Sequence, residues 1–236
     1  MIREKLIRKV LRKFNIFFCD RSLEGIVENL NHKYGYGNTK NIQKPVDSNH
    51  NPLPWFTYPA IEYLSQLDLS RKRIFEWGSG NSSRFFANRC KEIVSIESDE
   101  EWYSYGKNNI LPNQKLILRK EQGFAEAIEE EVDKFDVIII DSLRRYDCAL
   151  KAKECLKEGG MIILDNSDWH PKTSAFLRDR CDLIEIDMHG FGPINDYSWT
   201  TSLFLRRDFK SIPLNGTQPI VSCAGLRQIS KYDQPS

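Results

Sequence analysis

From Arg73 to Arg206, short apolar runs alternate with stretches in which apolar residues return every three or four positions. The runs predict strands at Arg73–Trp77, Glu92–Ile96, Lys115–Leu118, Phe135–Asp141, Met161–Asp165, Leu183–Asp187 and Trp199–Arg206. The periodic stretches predict helices near Ser83–Arg89, Glu100–Asn109, Ala125–Glu131, Arg144–Lys157 and Thr173–Arg178. Asp-Val-Ile-Ile-Ile-Asp, ending at Asp141, is an apolar run bounded by carboxylates, as expected of a parallel strand covered on both faces. Upstream, within Pro54–Leu69, Pro59 suits the first turn of a helix, and Ile61, Tyr63, Leu64 and Leu67 supply its apolar positions. Gly35–Pro54, rich in Gly, Asn and Pro, reads as an irregular linker, and the tail from Ser211 as loop or extended chain. Alternating strands and helices predict an α/β fold: a doubly wound, mostly parallel seven-stranded sheet with an N-terminal helical extension. The expected division is an extension and lid-type helix (1–70), a core (71–210) and a tail (211–236).

The first 18 residues stand apart. Ile2, Leu6, Ile7, Val10, Leu11, Phe14, Phe17 and Phe18 form one stripe at helical spacing, and Arg3, Lys5, Arg8, Lys9, Arg12 and Lys13 oppose it with Glu4 as the one acid. Two readings stand for such a helix. It docks its apolar stripe on its own domain or on a second copy, or it lies on an anionic membrane surface.

Composition narrows the classes. A chain of 236 residues, 40% hydrophobic and 28% charged, builds one domain with a substantial core. A net charge of +1 gives no global pull toward nucleic acid. The six cysteines form no CxxC pair, so they suggest neither zinc nor redox chemistry and read as buried reduced thiols. No apolar run approaches the roughly 20 residues needed to cross a bilayer, and no signal core follows the basic start. A soluble cytoplasmic protein is expected, with peripheral membrane contact as the variant that residues 1–18 leave open.

Ligands of doubly wound sheets sit beyond the carboxyl ends of the strands, so the strand ends carry the chemistry. The first strand ends in Glu76-Trp77-Gly78-Ser79-Gly80, followed by Asn81-Ser82-Ser83. Gly78 and Gly80 can take φ > 0 and let backbone approach a ligand, and Ser82 and Ser83 suit the N-cap of the next helix. The second strand ends in Glu97, 19 residues after Gly78, near the spacing at which a carboxylate reaches ribose hydroxyls. The fourth ends in Asp141-Ser142 and the fifth in Asp165-Asn166-Ser167-Asp168. Each acid alone is an ordinary cap or turn residue; their convergence on one rim argues for a nucleoside site. The glycine run lacks the third glycine of G-x-G-x-x-G, which disfavours a dinucleotide, and Glu76 just before the turn suits a cationic ligand.

"FEWGSGNSS", "VSIESDEEWY" and "FDVIIIDSLRRYDCALKAKECLKEGGMIILDNSDW", in that order and spacing, resemble the successive motifs of class I S-adenosylmethionine-dependent methyltransferases. The resemblance spans Arg73 to about Arg206. It implies S-adenosylmethionine as cofactor, with Glu76, Gly78, Ser79 and Gly80 at its methionine end, Asn81 and Ser82 as further cofactor-binding residues, and Glu97 on its ribose. Gln122 and Gly123 would lie near the adenine, and Asp141 and Ser142 beside the reacting centre. It also implies an antiparallel last strand, which "WTTSLFLRR" fits. Asp141 with Asp165-Asn166 is further similar to the metal ligands of catechol and caffeoyl-coenzyme A O-methyltransferases, a set of hard oxygens suited to Mg²⁺. Those enzymes carry a lysine after the first aspartate where this chain has Leu143-Arg144-Arg145, and arginine cannot act as a base. The same Asp-Asn pair also makes a plain turn.

Methyl transfer needs a base only if the nucleophile must lose a proton; Asp141, His170 and Asp168 are the candidates. Trp169 and Tyr146 can wall an acceptor pocket, Trp55 and Tyr58 can close it, and Arg144 and Arg145 can bind an anionic acceptor; packing and solvated surface are the competing readings. The expected activity is methylation, by preference O-methylation, of a small-molecule or glycan-type acceptor. The alternative is a non-catalytic methyltransferase-like binding module. No nucleic-acid partner is expected, and a homo-oligomer is left open.

Overall fold

A computed structural model describes residues 21–228 and residue 230 of the chain. The amphipathic stretch Met1–Phe18 and the membrane contact read from it lie outside the described residues, as does Cys19.

Seven strands form one sheet in the order β3-β2-β1-β4-β5-β7-β6. They are β1 (Arg73–Trp77), β2 (Glu92–Glu97), β3 (Gln114–Leu118), β4 (Phe135–Ile140), β5 (Leu156–Asp165), β6 (Ile184–Gly190) and β7 (Trp199–Leu205). All pairings are parallel except those of β7, which runs antiparallel to both β5 and β6. The doubly wound, mostly parallel expectation holds, with the antiparallel strand where the resemblance puts it. β1 matches its expected bounds. β5 starts five residues before Met161, because Leu156 pairs with Phe135 before the register shifts to Val137–Met161.

The side-chain alternation of the strands makes two cores. Ile74, Ile93, Val137, Ile139, Ile163 and Leu203 face one layer, where Ala60, Ile61 and Leu64 of the helix α3 (Tyr58–Ser65) and Phe85 and Phe86 of α4 (Asn81–Ala87) cover them. Phe75, Trp77, Val94, Ile96, Ile138, Ile140, Ile162 and Phe204 face the other, against Ala149 and Ala152 of α6 (Arg145–Cys155). Burial on both sides explains why β4 reads as an unbroken apolar run. Burying about a dozen such side chains per face, at roughly 1.5–3 kcal/mol each, is the main source of stability.

The amino-terminal segment departs from expectation. Besides α1 (Arg21–His32), a short helix α2 (Tyr36–Ile42) lies within the stretch read as linker. Buried Thr39 holds its end by donating to Lys44 O at 2.7 Å, and Asn38 donates to Ser48 O at 3.2 Å. Pro59 sits in the first turn of α3 as expected. Ala125–Glu130 is a 3₁₀ turn rather than an α-helix, α5 spans Glu100–Lys107, and the short α7 (Pro171–Ala175) continues as a π turn through Arg180. Cys90 and Cys148 are buried, but Cys223 is exposed, so the thiols are not all interior. Among the described residues no helix is long and apolar enough to cross a membrane.

Candidate active site

The sheet order reverses between β1 and β4, and their carboxyl ends meet there. Gly78 N donates to Ile96 O at 2.9 Å and Asp141 N donates to Trp77 O at 3.1 Å, pinning the ends of β1, β2 and β4 together. Gly78 has φ 100, and a Cβ on it would stand 2.4 Å from the Asp141 carbonyl oxygen. Only glycine fits that approach. Gly80 does not share the role expected of it: its φ of 164 is extended backbone. A Cβ there would meet nothing within 4 Å, so it faces open space. Ser82 and Ser83 lie inside the first turn of α4 rather than capping it, because the helix begins at Asn81. Ser83 Oγ instead accepts from Gly80 N at 3.1 Å and donates to Glu76.

Glu97 closes the turn from β2. Its Oε2 accepts from Ser79 N at 3.1 Å and Ser79 Oγ at 2.8 Å; its Oε1 accepts from Ser98 N at 2.8 Å and Asp99 N at 2.9 Å. These donors fix the carboxylate over a cavity of about 350 Å³, in the range of small-ligand sites. Gly78, Ser79, Gly80, Asn81, Ser82, Glu97, Asp141 and Ser142 line one side of it. The other side comes from elsewhere in the chain: Gln43, Lys44 and Pro45 after α2, Trp55 before α3, and Trp102 and Tyr105 on α5. Asn81 Nδ2 donates to Pro45 O at 2.6 Å, and Lys44 Nζ donates to Tyr105 OH at 2.7 Å, so the amino-terminal segment is laced across the opening.

Glu76 is not on the wall. It lies beneath the turn, 1% exposed, where Oε2 accepts from Ser83 and from Ser95 Oγ (2.9 Å) and Oε1 is buried without a partner. Burial pushes its carboxyl up to about 7, against the pull of the serine hydroxyls. Glu76 thus props the turn from below and does not touch the cavity.

A second cavity, about 260 Å³, adjoins the first through two shared residues, Trp55 and Asp141. Trp55, Trp169, Tyr197 and Trp199 supply its aromatic walls, and Asp141, Asp165, Asn166 and Asn195 its polar ones. Trp55 is held in place by its neighbours: Thr57 N donates to Thr201 Oγ1 at 3.0 Å, Thr57 Oγ1 donates to Met188 O at 2.8 Å, and Tyr58 N donates to Phe191 O at 2.7 Å. Gly192 lets Trp199 close in, since a Cβ there would stand 2.4 Å from the indole.

Not every candidate from the sequence reaches these cavities. Gln122 and Gly123 line neither. Asp168 is exposed and accepts from Thr200 N at 3.1 Å, tying β7 to the loop after β5. His170 is half-buried outside both cavities; burial first, and then Arg145, lower its pKa. Tyr146 stacks on Phe176, with ring centroids 5.6 Å apart, and Tyr58 on Tyr34, at 4.6 Å. Arg144 pairs with Asp147 at 2.8 Å on the surface. Asp141 lines both cavities; burial pushes its carboxyl up to about 6, with Arg145 opposing.

The proposed metal set does not fit a metal. Asp165 Oδ1 accepts from Thr201 Oγ1 at 2.6 Å and Trp199 Nε1 at 3.0 Å, and burial followed by the nearby Asp141 raises its pKa well above the ordinary range. Asp141 Oδ1 and Asn166 Oδ1 are both occupied by Arg145. Among the described residues no group of three or more His, Cys, Asp or Glu side chains is placed to hold an ion. The sequence missed Gln43, Lys44, Trp102, Tyr105, Asn195, Tyr197 and Trp199. Of these, only the aromatic pair three residues apart on the polar helix after Glu97 left a local signal.

No protein-family model and no curated protein matches the sequence. Solved structures do match. The O-methyltransferase TomG of Streptomyces achromogenes, solved in complex with SAM and involved in tomaymycin synthesis, superposes with a TM-score of 0.53 at 14% identity, over 78% of this chain and 95% of that one. Precorrin-6y C5,15-methyltransferase of Geobacter metallireducens gives a TM-score of 0.49 at 14% identity, over 71% and 97%. M. jannaschii TYW2 in complex with AdoMet gives 0.45 at 17% identity, over 68% and 79%. The TomG superposition, at 14% identity, is a likeness of fold: the chain has the class I S-adenosylmethionine-dependent methyltransferase fold.

Proposed function

We propose that this chain transfers a methyl group from S-adenosylmethionine to a hydroxyl of a small-molecule or glycan-type acceptor. The observation that carries the reading is the pair of cavities joined at Trp55 and Asp141, one built on the glycine turn and Glu97, the other walled by aromatic rings. The residues present fit the cofactor. Gly78 lets the turn close against Asp141 at the cavity wall, Gly80 faces empty space, and Glu97 offers a fixed carboxylate 19 positions after Gly78, suited to paired ribose hydroxyls. When bound, the cofactor supplies the activated methyl group, and the protein supplies position and exclusion of water.

In this reading Ser79 and Glu97 seat the ribose, and Trp55 divides the two cavities. The aromatic walls of the second cavity hold a flat ring or the apolar face of a sugar. Asp141 takes the acceptor's proton: it lines both cavities, and a carboxyl raised to about 6 is ionised near neutrality yet basic enough to share a proton. His170 and Asp168 serve the loop after β5. Calorimetry with S-adenosylhomocysteine tests the reading directly. Wild type binds, and Glu97→Ala weakens binding about 100-fold, because one charge-assisted carboxylate contact contributes roughly 1.5–3 kcal/mol. No binding by wild type removes the enzyme reading, and unchanged affinity in the variant removes the ribose assignment. Tritiated-methyl transfer to fractionated small molecules then distinguishes an enzyme from a binding module.

The basic amphipathic pattern of residues 1–18 supports a second proposal, peripheral contact with an anionic membrane. Co-sedimentation with liposomes should require anionic lipid and fade in high salt; equal pelleting with neutral lipid refutes it.

A further inference from the structure

The side chains that resemble a metal set do meet in space, but around an arginine. Arg145 opens α6, four residues after Asp141. Its Nη2 donates to Asp141 Oδ1 at 3.0 Å and to Asn166 Oδ1 at 2.9 Å, and its Nη1 donates to Ser142 O at 2.8 Å. One nitrogen therefore touches two of the three oxygens that a hard cation would use. The guanidinium is 15% exposed, and its Nε is buried without a partner, so the two Nη contacts are what place it. Mg²⁺ draws its oxygens to about 2.0–2.1 Å and keeps several waters. A planar guanidinium lodged between the same oxygens leaves no volume for that shell. It also stays protonated at any working pH, whereas a bound metal comes and goes.

We propose that Arg145 is a built-in substitute for a divalent cation: it compensates Asp141, orients the Asp141 carboxylate and the Asn166 amide at the wall of the second cavity, and excludes Mg²⁺ and Mn²⁺ from the rim. Arg145 lines neither cavity, so it acts through Asp141 and Asn166 as a positioning residue. The inference concerns the rim alone and holds whether or not the chain transfers methyl groups.

The test uses Mn²⁺ alone, with the full chain and no cofactor, and follows the free aquo ion by electron paramagnetic resonance. Wild type leaves Mn²⁺ free. Arg145→Ser, which uncovers Asp141, Asn166 and the remaining oxygen of Asp165, binds it at least about tenfold more tightly. Arg145→Lys keeps the charge and returns the exclusion. Asn166→Asp adds a carboxylate while retaining the guanidinium, and it still excludes the ion, which keeps the test open if Arg145→Ser fails to fold. Wild-type binding that Asp141→Asn abolishes overturns the proposal. So does a folded Arg145→Ser that binds no better than wild type, an Arg145→Lys that binds as Arg145→Ser does, or an Asn166→Asp that captures Mn²⁺.

Discussion

Glu76→Gln isolates the buried carboxyl beneath the glycine turn. In the folded chain this group is 1% exposed, keeps one oxygen without a partner, and has its pKa raised from 4.5 to about 7 by burial. The native state therefore holds a proton that the unfolded chain releases, so stability from this group is full below pH 4.5 and is lost as pH rises through about 7. The whole shift corresponds to about 3 kcal/mol, of which about 2.5 kcal/mol is lost between pH 5 and pH 8. Glutamine is close to isosteric with the protonated acid and does not titrate. Its amide hydrogens lack an acceptor at the orphan oxygen's position, a penalty of about 1–3 kcal/mol that is the same at both pH values. The absolute stability of the variant is thus less informative than its pH dependence. Asp141 and Asp165, also raised, tilt wild type and variant alike and largely cancel in the difference, since Asp141 is the smallest of the influences on Glu76. Urea unfolding of both proteins at pH 5 and pH 8 should show the variant gaining about 2.5 kcal/mol on wild type at the higher pH. A stability gap that is equal at the two pH values refutes the reasoning.

Two further substitutions probe the two cavities. Gly78→Ala places a Cβ 2.4 Å from the Asp141 carbonyl at φ 100, and should lose about 2 kcal/mol or more in urea unfolding together with S-adenosylhomocysteine binding by calorimetry. Trp199→Phe removes the indole donor 3.0 Å from Asp165 and leaves a void at a site that is 2% exposed. It should lower unfolding free energy by about 2 kcal/mol, while first-cavity binding of S-adenosylhomocysteine stays within about twofold, since Trp199 does not line that cavity.

The sheet was legible because its signal is local. A parallel strand covered on both faces must be apolar throughout, and a strand end at the rim must be polar, so Phe135–Ile140 and Asp141 mark themselves. Gly78 and Glu97 were legible for the same reason: one turn and one strand end set their positions. Where a role depends on distant partners the sequence is silent. The helix Tyr36–Ile42 is composed like a linker and is held by Thr39 and Asn38 bonding to chain beyond it. The strand expected from Met161 starts at Leu156, because β5 runs through Gly159 and Gly160 by a register shift against β4. Gln43, Lys44, Asn195 and Tyr197 reach the cavities only because loops fold over the rim, and Gln122 and Gly123 miss them although the motif order points there.

The convergence of acids on one rim was the strongest sequence signal, but it does not mean that each acid serves a ligand. Carboxylates this close repel one another, and each is relieved differently. Glu76 sits under serine hydroxyls, Glu97 under Ser79 and two backbone amides, Asp141 against a guanidinium, and Asp165 against a threonine hydroxyl and an indole. For Glu76 and Asp165 burial outweighs the hydroxyl and indole donors, which pull toward the anion, so both carboxyls are raised. Asp141 is raised by burial as well, with the Arg145 guanidinium opposing. The carboxyls offered to the first cavity are those of Glu97 and Asp141, both on its wall, while Glu76 lies behind it. A ligand bearing hydroxyls at one end and positive charge toward the other meets that distribution, and a diphosphate on this wall would face two carboxylates, with Lys44 on the opposite side as the cation among the lining residues.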